Sequence, residues 1–278
     1  MHPSAISAPL RLCERYSSIP APLRELNLSR TSVLSALILR SRPAGESNNE
    51  VYLLTAEEGI IRATVFGGPK SKLRAFASPF NSGQVWIYRD KAKEYAKLSD
   101  MDVRSWRPAL REMYERTMAG AAIAETILTS HGGGGEWGIA LKLAEETLDA
   151  LESANEDMCR RLLVHFLWRW AGFLGIQPHL NECSSCGHGE KASLWFNAKE
   201  SAALCANCNS DSIQTGSKQG GQIILNPGGR KWLSVTGELE PSSLHRYSMD
   251  VKSFGEVKAL VTAVLAEVFG KRLGSWEW

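Results

Sequence analysis

The first part of the hydrophobic pattern, from residue 33 to about residue 103, consists of short apolar runs. These runs are rich in β-branched and aromatic residues, and they cover 33–39, 51–55, 60–66, 85–88 and, more weakly, 95–98. Turn segments that contain glycine, proline or asparagine separate them, as expected between neighbouring strands. Five short strands in a segment of this length predict a small closed or partly closed β-barrel.

After Trp106 the apolar residues recur every three or four positions, which is the period of amphipathic helices. Two such sets are Trp137, Leu141, Ala144, Leu148 and Leu151, and Cys159, Leu163, Phe166, Trp170 and Phe173. Asn155 is placed to cap the second of these helices at its N-terminus. We expect Trp168 and Trp170 to lie in the core of a helical bundle.

Three more helices are predicted in the same part of the chain, at about 108–129, at about 229–235 and near the C-terminus. The last helix carries one apolar side, formed by Val257, Leu260, Val261, Val264 and Val268. The pattern thus predicts an α+β protein with a barrel domain at 29–105 and a helical domain at 106–278. Residues 1–28 show no period and contain four prolines, so we expect a loosely ordered extension.

Composition narrows the class of protein. A chain of 278 residues with 44% hydrophobic residues can bury a substantial core and suits two domains. The start of the chain lacks the apolar stretch of a secretory signal, and we find no run of about 18 apolar residues that would span a membrane. We therefore expect a cytoplasmic protein without a membrane partner.

Two Cys-x-x-Cys pairs are the most specific chemical signal in the chain. Cys183 and Cys186 form the first pair, Cys205 and Cys208 form the second, and residues 187–204 separate them. This spacing is typical of a zinc site with four thiolate ligands, built on a hairpin inserted at 181–210. Four thiolates fill the coordination sphere of zinc, so the pattern predicts one structural ion.

Two alternatives to that site stay open at this point. The four cysteines could form two disulfides, although a reducing compartment disfavours them. His188 lies between the pairs and could be an alternative or outer ligand. Cys13 and Cys159 are left over, and neither lies in a pattern that favours a reactive nucleophile.

Motifs that would indicate an enzyme are weak. The glycine run at 132–135 lacks the Gly-Lys-Ser/Thr ending of a phosphate loop and does not follow a strand, so we interpret it as a connection between helices. The six histidines are scattered and show no metalloprotease spacing. We therefore predict that the protein is not an enzyme.

Charge is distributed unevenly, although the net charge is only +2. Residues 28–105 have 12 lysines and arginines against 8 acidic residues, whereas residues 106–182 have 7 against 11. A basic stripe on a barrel is the electrostatic footprint of a surface that meets phosphates, and a solvated face is the alternative. The predicted contacts with nucleic acid are Arg40, Arg62, Lys70, Lys72, Arg74, Arg89, Lys91 and Lys93. Trp86 and Tyr88 are candidates for base stacking, although their shared face could equally be core.

Several stretches of the chain resemble a known family. The segments 36–40 with 45–47 and 53–55 with 58–59 resemble its first two strands and turns, and 66–73 with 79–80 resembles its basic loop. Cys183 to Gly187, Phe196 and the second cysteine pair resemble its zinc segment. The order and extent of these stretches are similar to those of the bacterial recombination mediator RecO family.

The resemblance implies both a fold and a function. The fold is an N-terminal OB-fold barrel followed by a helical domain with the inserted zinc hairpin. The implied function is DNA repair and homologous recombination, through binding of single- and double-stranded DNA and annealing of complementary strands. The implied partners are RecR and single-strand-binding protein, with RecA loaded indirectly, and the implied location is the cytoplasm at the nucleoid.

Two departures from the family pattern stand out. Residues 1–28 precede the first strand, where family members usually begin, and Ala202-Ala203 stands where a glycine pair is frequent. Two other classes of function also compete with the mediator. One is a protein–protein adaptor whose basic barrel has no direct role with DNA, and the other is a metalloenzyme with an open metal position.

Overall fold

Residues 30–68, 70–90, 92, 94–189, 192–214 and 222–276 are described by a computed structural model of the protein. The predicted extension at 1–28 and the predicted DNA contacts Lys91 and Lys93 lie outside these residues.

Five strands form a closed barrel in the first part of the chain, as the sequence predicts. They are β1 (Thr31–Ala44), β2 (Asn48–Thr55), β3 (Gly59–Val65), β4 (Ser82–Asp90) and β5 (Tyr95–Ser105), with the short helix α1 (Lys72–Phe76) between β3 and β4. Their order around the barrel is β1-β2-β3-β5-β4. The pairs are antiparallel except β3 with β5, which run parallel where Thr64 meets Lys97. This strand order and the helix after β3 make the barrel OB-like.

Side chains alternate between the two faces of each strand, and the inward set fills the barrel. Leu34, Ala36 and Ile38 of β1 belong to this inner core, together with Val85 and Ile87 of β4. The register of β1 against β2 shifts between Ile38 and Arg40. Such an irregularity exchanges the faces on which the following side chains lie, which matters for the charged end of β1.

The second part of the chain is mainly helical. Its elements are α2 (Tyr114–Thr129), α3 (Trp137–Leu151), α4 (Glu156–Phe173), β6 (Leu194–Asn197), β7 (Ala202–Leu204), α5 (Ala206–Gln214), β8 (Ile223–Leu225), α6 (Pro227–Thr236) and α7 (Val251–Phe269). Short 3-10 helices occur at Pro108–Arg111, Pro241–Arg246 and Gly274–Trp276. Among the described helices, none combines the length and the apolar character that a bilayer-crossing segment needs.

Helix α4 is the centre of the bundle, and its sequence explains why. The Asn155 side chain accepts a hydrogen bond from the backbone N–H of Met158, so it caps the helix as predicted. Trp168 and Trp170 are both buried, with Trp170 stacked on Phe166. The helix therefore contacts α2, α3 and α7 through an almost wholly apolar surface.

The inserted segment forms a three-stranded antiparallel sheet in the order β7-β6-β8. Leu194 and Phe196 of β6 and Leu225 of β8 are buried in the same core as the helices. The sheet is thereby anchored on one face to α7, while the cysteine pairs lie at its β7 side.

Residues Thr31–Trp278 form one compact unit, because the barrel and the helices share a hydrophobic interface. Leu37, Leu39 and Leu54 point outward from the barrel and join the helical core. Gly59 has a positive φ of 72°, and a Cβ at this position would lie 2.7 Å from the Trp137 indole. The β2–β3 turn can therefore approach α3 only with glycine there.

Three short elements, α1, α5 and β8, were not predicted, because each is too short to display a period. The predicted helix at 108–129 is interrupted, since residues Pro108–Arg111 form a 3-10 helix and α2 begins at Tyr114. Val268 was expected on the apolar side of the last helix, but it is 55% exposed. It lies near the C-terminal end of α7, whereas Val257, Leu260, Val261 and Val264 are buried as predicted.

Candidate metal centre and nucleic-acid surface

The four cysteines of the two pairs lie together. The Sγ atoms of Cys183, Cys186, Cys205 and Cys208 are all within 4.8 Å of one another. A tetrahedral site with sulfur–zinc bonds of about 2.3 Å places its sulfur atoms roughly 3.8 Å apart, so only a small contraction is needed. All four are free thiols in the structure, which does not contain the two disulfides left open by the sequence.

The first pair lies on a tight turn. The backbone N–H of Cys183 donates to the carbonyl of His188 at 3.0 Å, and the N–H of Gly187 donates to the carbonyl of Cys183 at 2.9 Å. Gly187 has a φ of +68°, the left-handed conformation that glycine adopts without strain. The second pair spans the end of β7 and the first turn of α5, so a strand and a helix hold it.

Ionisation of the thiols is strongly uneven. Burial opposes ionisation of Cys183, but backbone N–H groups of Cys205, Cys186 and Ser185 lower its pKa to about 6. Side-chain hydrogen bonds with Cys205 and Cys186 raise the pKa of Cys208 to about 12. The cluster thus favours one thiolate and shares the remaining protons, which a metal ion displaces on binding.

This donor set fits a zinc ion. Soft thiolate ligands in a tetrahedral arrangement select zinc or iron–sulfur clusters, and they leave no position for water or substrate on zinc. His188 is exposed, and its backbone carbonyl accepts the hydrogen bond from the N–H of Cys183. The group of potential ligand atoms at this site consists of the four cysteines.

One row of cross-strand neighbours on the outer face of the barrel includes two cations, Arg42 and Lys97. Arg42 pairs with Glu50, Glu50 with Thr64, Thr64 with Lys97, and Lys97 with Tyr88. Directly paired residues share a face of the sheet, so this row passes over all five strands. We call it the cross-strand row.

A second, shorter set of neighbours runs beside the cross-strand row. Arg40 pairs with Tyr52, which pairs with Arg62, and both arginines are exposed. The predicted contacts Arg40 and Arg62 therefore lie on either side of Tyr52, on the face that also carries Arg42 and Lys97. The five-stranded barrel brings together residues from 40 to 97 in the sequence.

Glu50 organises the arginines of this face. Its carboxylate is 7% exposed and pairs with both Arg42 and Arg62, while the Tyr52 hydroxyl donates to it at 3.0 Å. Burial opposes ionisation of Glu50, but hydrogen bonds from Arg42 and Tyr52 and the two guanidinium charges hold its pKa below the usual value. The Arg42 guanidinium also lies 5.4 Å from the centre of the Tyr52 ring. The two arginines are thus held in fixed positions at the surface.

The other predicted contacts lie elsewhere on the barrel. Arg89 pairs with Glu58 at 2.6 Å and donates to the Ser32 hydroxyl, so it bridges the start of β1 and the β2–β3 turn. Lys70, Lys72 and Arg74 lie at or just before α1, and the two lysines are exposed. Arg89 lines one pocket with Arg62 and Thr64, whereas the cations around α1 form a separate group.

Trp86 and Tyr88 lie on the outer face of β4. Val85 and Ile87 fill the barrel interior, and the two aromatic residues alternate with them and are half-buried. The shared face that the sequence left open is therefore the outside of the barrel. Tyr88 is also the end of the cross-strand row.

Sequence reasoning missed Arg42, Tyr52 and Glu50. The signal for Arg42 was the second cation in the Arg40-x-Arg42 alternation, which places both side chains on one face of a strand. It also missed Phe66, which lies directly after β3, is 43% exposed and has the Lys97 ammonium 5.4 Å from its ring centre.

A small apolar pocket lies between α2 and α4. Its volume is about 200 Å³, and it is lined by Tyr114, Met118, Ala119, Cys159 and Leu163 together with the charged Glu115 and Arg160. Burial raises the pKa of Cys159 to about 11, so this thiol stays protonated.

The charge of Lys258, on helix α7, interacts with that of Arg160. Burial lowers the pKa of Lys258, and the nearby charges of Arg160 and Arg272 lower it further. The border of the pocket between α2 and α4 therefore carries both signs of charge, since Glu115 and Arg160 both line it and Arg160 is ion-paired with Glu156.

Comparison with known protein families shows which family the chain belongs to. The model of the recombination protein O N-terminal domain matches residues 30–106, and that of the C-terminal domain matches residues 111–277. The chain belongs to the RecO family.

Individual relatives agree with this assignment. The DNA repair protein RecO of Desulfitobacterium hafniense is 28% identical over 256 residues, which are 87% of this chain and 86% of that protein. RecO of Bacillus subtilis is 25% identical over 242 residues, 86% of this chain and 90% of the relative. RecO of Pelotomaculum thermopropionicum is 29% identical over 177 residues, 62% of this chain and 66% of the relative.

One departure from the RecO pattern has a structural explanation. Ala202 and Ala203 stand in β7, and the backbone N–H of Ala203 donates to the Ser184 hydroxyl at 3.0 Å. The Ala203 carbonyl accepts from the Ser184 N–H at 2.8 Å. These bonds join the first cysteine pair to β7 through the backbone, and the methyl group of a buried alanine is accommodated beside them.

Proposed function

We propose that this RecO protein is a mediator of DNA repair and homologous recombination. It binds single- and double-stranded DNA without strong sequence preference, anneals complementary strands, and helps to load RecA together with RecR. Membership of the RecO family supports the role in repair and recombination. We assign DNA binding to residues 29–105, and scaffold and partner contacts to residues 106–278 with the insertion at 181–210.

The observation that carries the proposal is the cationic face of the barrel. Its cations are Arg40, Arg42, Arg62 and Lys97, which are linked across the strands through their paired neighbours Tyr52, Glu50 and Thr64. Lysines and arginines that replace the counterions of phosphates give affinity without reading the bases. A surface of this kind suits a protein that must act on any sequence.

Annealing needs screening of charge and no bond chemistry. Two strands repel each other through their phosphates, and cations of the barrel reduce that repulsion while the bases search for partners. The cations at α1, including Lys70 and Lys72, supply a second group that can hold another strand. This mechanism uses no nucleotide cofactor.

The pocket between α2 and α4 is our candidate site for the tail of single-strand-binding protein. Its apolar walls fit the apolar end of a peptide, and Arg160 in its lining is a cation that an acidic residue of the peptide could pair with.

We assign one structural zinc ion to the four cysteines of residues 183–208. Its ligand set leaves no open position, which argues for a role in holding the sheet β7-β6-β8 in shape. DNA contacts and annealing then depend on the barrel and not on the metal.

A strand-annealing assay tests the proposal. Complementary labelled oligonucleotides are mixed without nucleotide, with and without single-strand-binding protein, and the rate of duplex formation is measured. We expect the protein to accelerate annealing, and Arg42→Glu with Arg62→Glu to abolish most of that acceleration. The matched control reverses Lys231 and Lys252, two exposed lysines of α6 and α7. No acceleration by the wild type, or equal loss in the control, would overturn the proposal.

A further inference from the structure

A cavity lined by aromatic side chains opens at the end of the cross-strand row. Its volume is about 670 Å³, and its walls are Phe66, Tyr88, Asp90, Tyr95, Lys97 and Ser99. This volume lies within the range of small-molecule sites. Three of the six wall residues are aromatic, and they come from the end of β3 and from β4 and β5.

Phe66 keeps an accessible ring although it has two neighbours. Its ring centre lies 6.0 Å from that of Tyr95 with a tilt of 58°, and the Lys97 ammonium lies 5.4 Å from it. The residue is nevertheless 43% exposed. An aromatic ring fixed by its neighbours and open on one side is a surface for stacking.

The cavity is continuous with the cationic face. Lys97 belongs to both, because it lines the cavity and is paired with Thr64. Thr64 lies two residues after Arg62 on β3, so both side chains are on the same face of that strand. Neighbouring strands are about 4.8 Å apart, so the path from Arg42 to Lys97 crosses three such steps. A chain of phosphates that follows the arginines therefore reaches the mouth of the cavity.

The charges around the cavity fix the orientation of a ligand. Lys97 attracts a phosphate on its side, whereas the Asp90 carboxylate repels one. The Asp90 side chain accepts a hydrogen bond from the backbone N–H of Ala92 at 3.1 Å, so it has a structural role in the turn. A nucleotide is thus expected to place its phosphate toward Lys97 and its base among the aromatic rings.

We propose that the cavity formed by Phe66, Tyr88, Tyr95 and Lys97 binds an unpaired base of single-stranded nucleic acid by stacking. This proposal rests on the proposed function, and it adds a preference for single strands over duplexes that the cations alone do not give. Bases in a duplex are stacked on one another and paired, so they cannot enter the cavity. The cavity therefore distinguishes single strands from duplexes, while the arginines bind both.

The test compares three DNA probes of equal length with the full chain. They are a single strand of deoxythymidine nucleotides, an abasic strand with the same sugar–phosphate backbone, and a duplex. Dissociation constants are measured by fluorescence anisotropy at one fixed salt concentration for the wild type, Phe66→Leu and Tyr88→Leu. We expect either variant to weaken binding of the deoxythymidine strand by roughly 5- to 150-fold. Binding of the abasic strand and of the duplex should change less than about twofold, because neither places a base in the cavity.

Matched variants keep the rings. Phe66→Trp and Tyr88→Phe retain an aromatic surface and should retain binding of the deoxythymidine strand, so a misfolded leucine variant does not decide the question. Arg62→Gln should weaken binding of all three probes.

The outcomes separate the two proposals. Equal losses on the abasic and deoxythymidine strands, or no loss on either, would overturn base stacking while DNA binding stands. Absence of binding by the wild type to any of the probes would instead overturn the proposed function.

Discussion

Arg107 and Asp149 form an ion pair across the boundary between the barrel and the helices, with 2.6 Å between Nε and Oδ1. The Arg107 side chain is 2% exposed and also donates to the Phe80 carbonyl at 2.7 Å and to the Ser82 hydroxyl at 3.0 Å. Its backbone has a φ of +44°, an uncommon value for a residue other than glycine. One guanidinium therefore connects the end of β5, the start of β4 and helix α3.

Replacing Arg107 should weaken the attachment of the barrel to the helices. Arg107→Ala leaves the buried Phe80 carbonyl and Ser82 hydroxyl without this donor, and we expect a loss of about 2–4 kcal/mol in the free energy of unfolding. Asp149→Ala should cost less than Arg107→Ala, because that carboxylate is 57% exposed and the guanidinium keeps its bonds to Phe80 and Ser82. Urea denaturation measures both, and equal losses in the two variants would contradict the role given to the buried bonds.

The cations around α1 should contribute to DNA binding independently of the cross-strand row. Reversing Lys70, Lys72 and Arg74 to glutamate removes up to three phosphate contacts, each of which contributes about 0.7–0.9 to the slope of log K against log salt. We therefore expect weaker binding and a flatter salt dependence, with the fold intact, because Leu73 and Phe76 attach α1 to the barrel core.

The matched control for the α1 variant reverses three exposed lysines of the helical region, Lys142, Lys231 and Lys252. A salt titration of binding compares the two triple variants. If the α1 variant and the control have the same slope as the wild type, the α1 segment does not contact DNA.

Much of the fold follows from local sequence, and the site follows only in part. The five barrel strands and the main helices were predictable because their apolar residues recur with the period of the element. The cysteine cluster was predictable because its ligands lie in two short pairs whose spacing alone suits a metal. Both kinds of signal are local in the sequence.

The nucleic-acid surface depends on pairing between distant strands, which local patterns do not contain. Arg42 lies opposite Glu50, which also pairs with Arg62, because β1 shifts register after Ile38, and no pattern in the sequence marks that shift. Lys97 meets Thr64 through the parallel contact that closes the barrel. Charge density identified the domain, whereas topology decided which cations are neighbours.

Metal content tests the cysteine site. Protein purified under reducing conditions should contain one zinc ion per chain, and Cys183→Ser should reduce that amount. Removal of the ion by a chelator should lower the melting temperature, because metal binding is coupled to the folding of its site. A loss of about 2 kcal/mol corresponds to roughly 4–8 °C in a chain of this size.

Cys159→Ser is the control for the metal site. Cys159 is buried in the bundle, outside the cluster, so its replacement should leave the zinc content unchanged. Wild-type protein without zinc, or with zinc that Cys183→Ser does not affect, would refute the assignment of a four-cysteine site.

His165 should make stability depend on pH. It is fully buried in α4, and its Nε2–H donates to the Thr236 carbonyl at 2.9 Å. Burial lowers its pKa from 6.5 to about 4, the Thr236 carbonyl opposes this shift, and the charge of Arg169 adds to it. His165 in the unfolded chain is therefore protonated below about pH 6.5, whereas in the folded chain it stays neutral down to about pH 4.

The fold should therefore lose stability as the pH falls through this window. Above pH 6.5 the histidine is neutral in both states and contributes no pH dependence, and between pH 6.5 and 4 protonation favours the unfolded chain. The free energy of unfolding should fall by about 3 kcal/mol over this window. In His165→Gln the side chain at this position cannot titrate. The free energy of unfolding of this variant, measured by urea denaturation from pH 7.5 to 4, should therefore decline less steeply than that of the wild type. Parallel curves for the two proteins would show that His165 is not the group responsible.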